Sequence, residues 1–436
     1  MSATLANLGE EDVLAISDGL GEPQWLRDRR QEAFKAFSDL EWPTNRVEEW
    51  RYTNPRRFDL SRPIVGEPGA SRPRDRGVVA ALDRVGATVR VVDGGVAEVT
   101  SSLAHRGVVA CDLATAAREH SDLLAAHLGS VVGDDTKFDA LSLAAFTGGA
   151  FVHVPADVEL DEPIVVTVDA ASDGALLPRV LVVLGPHARA AVFVDHAGEA
   201  AATVVEAVEV VVGEGARADV VTAQDWGRGV DHVGTHTGLV GDNGHYRHLE
   251  VSLGGRTVYI RPDLRLDRPG GNGELLGVYF CDGGQQVEHR SLIHHNASQT
   301  TSDLVYKGAL QGDSRATFFG NIRIEPHARA TASDQTNRNL ILTDLARADS
   351  IPFLEINNSD VVRCGHHSSV GQVDDQQLFY LQSRGVSRDE AVRLLVFGFF
   401  AEVLDRIDLP GVTRTVLAEI EREIRTGPTG LMDERR

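Results

Sequence analysis

The stretch Leu354–Gly385, LEINNSDVVRCGHHSSVGQVDDQQLFYLQSRG, contains the change of structural period around which the chain is organised. Before Cys364 the residues alternate and favour a strand, whereas after Asp374 the apolar residues recur at helical spacing. The stretch also holds one of three cysteines and the adjacent pair His366 and His367. It therefore predicts that a β region ends here, that a helical region begins here, and that any chemistry is done or supported at this junction.

Length, charge and cysteine content limit the class of protein. A chain of 436 residues should form more than one folding unit, since single cores rarely exceed about 250–300 residues. The net charge of -21 argues against nucleic acid or an anionic membrane surface as a partner. The most apolar run, LLVFGFFAEVL at 394–404, is shorter than the roughly 20 residues of a membrane helix. Three cysteines far apart, with no apolar segment after Met1, predict free thiols in the cytoplasm.

The first 136 residues are predicted to form a mixed helical region. A helix is expected over Pro23–Leu40, because proline suits a first turn and apolar residues follow at helical spacing. The other expectations are, in chain order, a poorly fixed start (1–20), an aromatic segment EEWRYTN that pins a loop onto the core (Glu48–Asn54), a linker rich in Pro, Gly and Arg (62–80), and short strands with a helix around Leu113–Leu128.

Residues 137–371 are predicted to be a mainly β domain. Short β-branched runs are punctuated by Gly, Asp, Asn or Pro, which fits either a sandwich or barrel, or a solenoid of stacked parallel coils. An internal repeat favours the solenoid. GPHARA at 185–190 returns as GEGARA at 213–218 and as EPHARA at 325–330, offsets of 28 and 140 residues, and 140 is five times 28. The small residues of these hexamers suit coil corners, and their His and Arg residues are expected to be solvated.

Residues 372–436 are predicted to be a C-terminal helical domain. Asp374 can cap a first helix that Gly385 ends, and Ser387 and Glu390 form a capping box that opens a strongly apolar helix. Pro410 breaks that helix, and a last amphipathic helix follows over roughly 412–424. Such helices either cap the open end of the solenoid or present a docking face to another protein, and both uses are compatible.

The alternation before the helices predicts half of a metal site. In an extended segment Cys364 and His366 project from one face, and Arg363, Gly365 and His367 project from the other. A thiolate and an imidazole suit iron or zinc, and a neighbouring arginine would favour the thiolate. A tetrahedral site needs four ligands, so the rest must come from elsewhere in the chain, a partner subunit or inorganic sulfide. The alternative is a buried cysteine beside a hydrogen-bonded histidine.

Signals for catalysis are weak. The sequence contains no GxSxG elbow, no Walker A loop and no GxGxxG fingerprint after a strand. Asp334, Asp344 and Asp349 could serve as carboxylates of a polysaccharide-cleaving β-helix enzyme, but Trp226 is the only tryptophan of the β domain that could stack on a sugar. The remaining histidine concentration is predicted to be structural, and comprises His289, His294 and His295.

Several segments resemble the SufB/SufD family of the SUF iron–sulfur cluster assembly system. They are EEWRYTN, the segment KFDALSLAAFTGGAFVHVPADVELDEPIVV at 137–166, the runs HHNASQTTSDLVYKGAL and FFGNIRIEPHARATASDQTNRNLILTD, and the opening stretch itself. The match is strongest over about 290–405. Within the family, EEWRYTN and the length favour the SufD branch over the SufB branch.

The resemblance implies a right-handed parallel β-helix between helical terminal regions, in a scaffold subunit without catalytic activity. Family members pair with SufB and bind the ATPase SufC through their C-terminal helices, so that ATP enters only through SufC. The family motif C-S-H-G-A-T-V-G corresponds to CGHHSSVG at 364–371. His366 thus matches the histidine implicated in cluster assembly at the SufB interface, Cys364 matches the adjacent cysteine, and His367 replaces a glycine. Ser359 stands where the family often has aspartate.

The resulting expectations are specific. His366 and Cys364 should contribute to a nascent iron–sulfur cluster or iron ion shared with a SufB-like chain joined edge to edge. The ATPase should dock on residues of the C-terminal helices, namely Phe379, Tyr380, Arg384, Phe397 and Phe400. A SufB-like sulfur acceptor and, more distantly, a β-helix carbohydrate enzyme are the alternatives.

Overall fold

The computed structural model describes residues 4–67, 82, 84–407, 409 and 411–426. Strands are the commonest element, and they are β1 (Ala87–Val92), β2 (Gly95–Ser101), β3 (Val109–Asp112), β4 (Gly148–Val154), β5 (Ile164–Asp169), β6 (Gly174–Leu176), β7 (Pro178–Leu184), β8 (Arg189–Gly198), β9 (Ala202–Val212), β10 (Arg217–Trp226), β11 (Asp231–Val240), β12 (His245–Ser252), β13 (Thr257–Leu266), β14 (Asn272–Cys281), β15 (Gln286–His295), β16 (Thr301–Leu310), β17 (Arg315–Ile324), β18 (Thr331–Ile341), β19 (Arg347–Ile356) and β20 (Val361–Gln372). The helices are α1 (Glu10–Leu20), α2 (Gln24–Asp39), α3 (Leu113–Glu119), α4 (Ser121–His127), α5 (Lys137–Ala145), α6 (Asp375–Ser383), α7 (Arg388–Leu404) and α8 (Val412–Thr426).

The strands form two sheets that wind as a solenoid. Sheet A has the order β2-β1-β5-β8-β10-β12-β14-β16-β18-β20, and sheet B has the order β19-β17-β15-β13-β11-β9-β7-β4-β3, with β6 beside β9. From β8 onward each coil adds one strand to each sheet, and every such pairing is parallel. The predicted mainly β solenoid flanked by helical regions is therefore confirmed, and a sandwich or barrel is excluded.

The hexamer repeat marks one corner of the coil. Sheet B strands end at six successive corners, after residues 184, 212, 240, 266, 295 and 324, so five coils separate the first hexamer from the third. The intermediate corners exist but have other sequences. Ala188, Ala216 and Ala328 occupy the inner side of the three hexamer corners and are buried, because a larger side chain would crowd the coils above and below. His187 and Arg189 of the first hexamer are exposed, as expected.

The first 136 residues contribute to both sheets and to a helical layer. Strand β1 pairs with β5 and β3 pairs with β4, so the sheets include strands from both sides of residue 137. On the outer face of sheet B, α1, α2 and α5 share an apolar cluster with Val205, Val233 and Tyr259. The EEWRYTN segment reaches the same place, since Trp50 stacks on Tyr259 with 4.2 Å between ring centroids. The predicted pinning of this segment onto the core is therefore confirmed.

One expectation about this region needs correction, and another lies partly outside the described residues. The start is not loosely fixed, because Glu10–Leu20 is helical, with acidic residues in its first turn and Gly21 in a left-handed conformation (φ 62°) at its end. The predicted linker at 62–80 falls partly on 68–80, outside the described residues. Its described beginning is not a free linker, since the backbone of Pro63 and Val65 bonds to Ala175 of β6.

The C-terminal helices lie along the outer face of sheet A. Apolar residues of α7 and α8 form one cluster with outward-facing residues of six strands of sheet A, which are Val165, Phe193, Val221, Leu249, Leu276 and Val305. Charged contacts also link the layers, for example Arg406 of the segment after α7 to Glu274 and Asp303, both at 2.7 Å. The helices therefore cover the side of the solenoid and do not cap its end. No described helix is long and apolar enough to cross a membrane.

Candidate functional site at the open end of the solenoid

The last coil ends in two edge strands. Strand β20 closes the order of sheet A and β19 closes that of sheet B, so among the described residues no further strand bonds to either outer edge. Every residue of β20 from His366 to Gln372 is exposed. An exposed edge presents unpaired N–H and C=O groups and is a template for pairing with another chain.

Cys364 and His366 lie on the inward-facing side of β20. Their register partners on β18 are Ser333 and Gln335, whose side chains are buried inside the solenoid. Cys364 is half-buried and packs against the interior apolar cluster, whereas His366 is exposed at the open end. The predicted common face of the pair agrees with this register, and the pair stands at a boundary that another chain can reach.

Arg363 and His367 face outward, toward one carboxylate. Arg363 Nη2 lies 3.8 Å from Asp334 Oδ2, and His367 Nε2 lies 3.6 Å from Asp334 Oδ1. The residue that replaces the family glycine therefore projects away from Cys364 and His366.

The expectation that Arg363 favours the Cys364 thiolate is wrong for the free chain. Burial raises the pKa of the Cys364 thiol, and the negative charge of Asp334 raises that pKa further. Because Asp334 faces Arg363, the guanidinium does not dominate the electrostatics at the sulfur. The thiol is therefore protonated at neutral pH and becomes a ligand only if a bound metal displaces its proton.

The lumen below this pair is polar. Ser333 Oγ lies 2.6 Å from Ser302 Oγ, which lies 2.9 Å from His295 Nε2. Gln335 is fully buried directly below His366, and neither atom of its amide has a hydrogen-bond partner among the described residues. A buried amide without partners is costly, so this position calls for a group that arrives from outside.

The five predicted docking residues differ in exposure. Phe379 and Tyr380 of α6 are 72% and 57% exposed, and Arg384 lies over the Tyr380 ring at 5.1 Å. Phe397 of α7 is half-buried below Arg393. Phe400 is fully buried in the cluster between α7 and sheet A, so its assignment as a contact residue is incorrect. It faces the sheet because it lies one helical turn from Val396 and Val403, which are also buried.

The carboxylates of the carbohydrate-enzyme alternative do not converge. Asp334 belongs to sheet A and Asp349 to sheet B. Asp349 forms a 2.9 Å ion pair with Arg347 of its own strand, and Asp334 is engaged by Arg363 and His367. Glycosidic cleavage needs two carboxyl groups that flank one bond, whereas Asp334 and Asp349 lie on different sheets and each is engaged by a basic residue.

A cluster of charged groups inside the middle coils was not predicted from the sequence. His236 lies between two buried carboxylates, with Nε2 3.3 Å from Glu206 Oε2 and Nδ1 3.1 Å from Glu250 Oε2. His196 Nε2 lies 2.8 Å from Glu206 Oε1. These two carboxylates raise the pKa of His236 to about 9 against the effect of burial. The sequence does place these charged residues in strands rich in valine. Predicting that they are buried requires knowing which face of each strand points into the solenoid.

Comparison with known proteins identifies the family of the chain. A family model described as "SUF system FeS cluster assembly, SufBD core domain" matches residues 166–399. An iron–sulfur cluster assembly SufBD family protein of Mycobacterium leprae is 39% identical over 293 residues, which are 65% of this chain and 74% of that protein. One of Mycobacterium tuberculosis is also 39% identical, over 65% of this chain and 73% of that protein.

A third relative extends over nearly the whole chain. The iron–sulfur cluster assembly protein SufD of Bacillus subtilis is 28% identical over 97% of this chain and 99% of its own length. The family model covers more than half of the 436 residues and includes all of β20 and most of α7. The chain therefore belongs to the SufBD family of iron–sulfur cluster assembly proteins.

Proposed function

We propose that this chain is a non-catalytic scaffold subunit which pairs, through the open end of its solenoid, with a homologous SufB-like chain. In this proposal His366 and Cys364 contribute to a nascent iron–sulfur cluster at the interface. The observation that carries it is the position of both residues on an unpaired edge strand, facing the mouth of the lumen. The similarity to Bacillus subtilis SufD over nearly the full length favours a SufD-like role over a SufB-like one.

The incomplete ligand set supports a shared site. A thiol and an imidazole two residues apart supply two donors, and the neighbouring buried positions below them are the hydroxyl of Ser333 and the amide of Gln335. Neither is a favoured ligand for iron, which takes thiolate, imidazole or sulfide. The remaining ligands must therefore come from the partner or from inorganic sulfide, and the cluster is cargo that the complex assembles.

Docking would also give hydrogen-bond partners to the backbone groups at the open end of the solenoid. A second solenoid placed against β19 and β20 would pair their free backbone groups and cover the mouth of the lumen. Closure would also bring polar groups of the partner chain near His366, which lies directly above the buried Gln335 amide. Pairing and ordering of the site would then occur together.

The ATPase subunit is proposed to dock on α6. Its exposed aromatic residues Phe379 and Tyr380, together with Arg384, form a patch of the composition enriched at protein interfaces. ATP would reach the complex only through that subunit. The cytoplasmic location predicted from the cysteine content belongs to this proposal.

The direct test is His366→Ala in a co-expressed complex with the SufB-like and ATPase subunits. We expect the three chains to co-purify as before, while the iron and sulfide content of anaerobically isolated complex falls at least several-fold. The matched control is His367→Ala, because that imidazole lies on the opposite face beside Asp334 and should leave the content unchanged. Normal cluster formation by His366→Ala with intact association would contradict the proposal.

A further inference from the structure

The middle of the solenoid encloses a group of metal-ligand side chains far from the open end. Glu206 of β9, His236 of β11, and His248 and Glu250 of β12 are each no more than 2% exposed. Histidines compensate the burial of these two carboxylates, and the arrangement concentrates imidazole and carboxylate donors in one enclosed place. We propose that His236, His248 and Glu250 bind a divalent transition-metal ion of the Zn²⁺ class inside the lumen.

The spacing of the three donors is close to that of a tetrahedral site. Their ligand atoms all lie within 4.8 Å of one another. Glu250 Oε2 is 3.1 Å from His236 Nδ1 and 3.8 Å from His248 Nε2. Tetrahedral bonds of about 2.0–2.1 Å place neighbouring ligand atoms about 3.3–3.4 Å apart, so small side-chain movements complete the geometry. The Thr222 hydroxyl bridges two of the donors in the metal-free chain, since it lies 2.6 Å from Glu250 Oε2 and 2.7 Å from His248 Nε2, and a bound ion would replace this bridge.

A second group of three, Glu206, His232 and His236, satisfies the same distance criterion but fails on chemistry. The indole N–H of Trp226 donates to His232 Nδ1 at 3.1 Å. Trp226 can only donate, so the neutral His232 ring must carry its proton on Nε2, the atom that faces Glu206. That nitrogen has no lone pair for a metal, which leaves His236, His248 and Glu250 as the site.

The surroundings of the chosen site resemble those of known zinc ligands. When His236 binds through Nδ1, its Nε2–H faces Glu206 Oε2 at 3.3 Å, the carboxylate–histidine–metal arrangement. In the metal-free chain the Thr222 hydroxyl donates to Glu250, so it accepts from His248 Nε2–H. His248 Nδ1 is buried and has no hydrogen-bond partner among the described residues, so the ring proton can move to Nδ1 and free Nε2 for the ion, which His232 cannot do while Trp226 donates to its Nδ1.

Loading must accompany folding, because the site has no exposed ligand. Chelators therefore should not strip the folded chain, and the test uses unfolding and refolding. The full chain is unfolded with denaturant and chelator, freed of both, and refolded with Zn²⁺, with Co²⁺ or without metal. We expect about one Zn²⁺ per refolded chain by elemental analysis, the visible absorption of tetrahedral Co²⁺, and a higher melting temperature with metal.

Variants distinguish the loss of a metal ligand from a failure of the chain to fold. Glu250→Gln and His248→Gln should lower the bound metal at least tenfold and abolish the metal-dependent rise in melting temperature. His289→Gln is the matched control: His289 is an equally buried lumen histidine that bonds to Ser252, outside the ligand group, so it should keep the metal. If wild-type chain refolded with Zn²⁺ holds less than about a tenth of an ion and melts as it does without metal, the proposal is wrong. Equal metal retention by Glu250→Gln would also overturn it.

Discussion

At the scale of single residues, the lumen is an environment in which ordinary side chains change their acidity. Burial lowers the pKa of His289 and of His295 to about 4, and these rings stay neutral while they bond to serine and threonine hydroxyls. At the open end the same effect raises the pKa of Cys364. The spacing of Cys364 and His366 was enough to predict their common face. The protonated thiol was not predictable, because Asp334 is 30 residues away in sequence and only the parallel pairing of β18 with β20 brings it close.

The buried histidines predict a loss of stability in mild acid. In the unfolded chain His289 and His295 titrate near 6.5, whereas in the folded chain they titrate near 4. Between these values the unfolded chain binds more protons, so the free energy of unfolding falls as pH falls from about 6.5 to about 4.5. His236, with its raised pKa, acts in the opposite direction: its contribution to stability is complete below about pH 6.5 and is lost as pH rises from there to about 9.

Denaturant unfolding as a function of pH measures this effect. His295→Gln should make the decline between pH 6.5 and 4.5 less steep, while His187→Gln, at an exposed corner, should leave the slope unchanged. A constant free energy of unfolding across this range, or an unaltered slope in His295→Gln, would contradict the assignment.

At the scale of elements, the C-terminal helices show which sequence signals transfer to structure. Caps were predictable because they are local: Asp374 accepts from the backbone of Gln376 and Gln377, and Ser387 accepts from Glu390. The side of α7 that faces the sheet was not predictable. This helix is apolar on every side, so periodicity alone could not separate the buried Phe400 from the half-buried Phe397. On α6 only Leu378 is buried, and the next two residues, Phe379 and Tyr380, are the exposed aromatic residues.

The α6 patch predicts a separable docking defect. Phe379→Asp should weaken binding of the ATPase subunit by about 2 kcal/mol or more, because large aromatic residues dominate interface energies. Its melting temperature should stay near that of wild type, since the side chain is 72% exposed. Calorimetric titration with the purified ATPase gives the affinity. Wild-type affinity in Phe379→Asp would remove α6 from the proposed interface.

At the scale of the whole molecule, the solenoid has a long interior, a sheet A face that the C-terminal helices cover, and an end at which the edges of β19 and β20 are free. The repeat at 185, 213 and 325 predicted the coil period, and the missing copies proved to be corners that use other residues. The N-terminal half of the arrangement was less accessible from sequence. Strands β1 to β3 join the sheets through partners such as β5 and β4, and two of these pairings are antiparallel departures from the repeat. Pairing between strands that are distant in sequence cannot be predicted from the local pattern when no repeated motif marks the strands.

The open end is the central claim of the proposed function, and amide hydrogen exchange of β19 and β20 tests it most directly. The chain is measured alone and in complex with its SufB-like partner. Edge-to-edge pairing predicts rapid exchange across 347–356 and 361–372 in the free chain and marked protection in the complex, while the strands of the middle coils change little. Unchanged exchange in both edge strands, with new protection elsewhere on the chain, would contradict it.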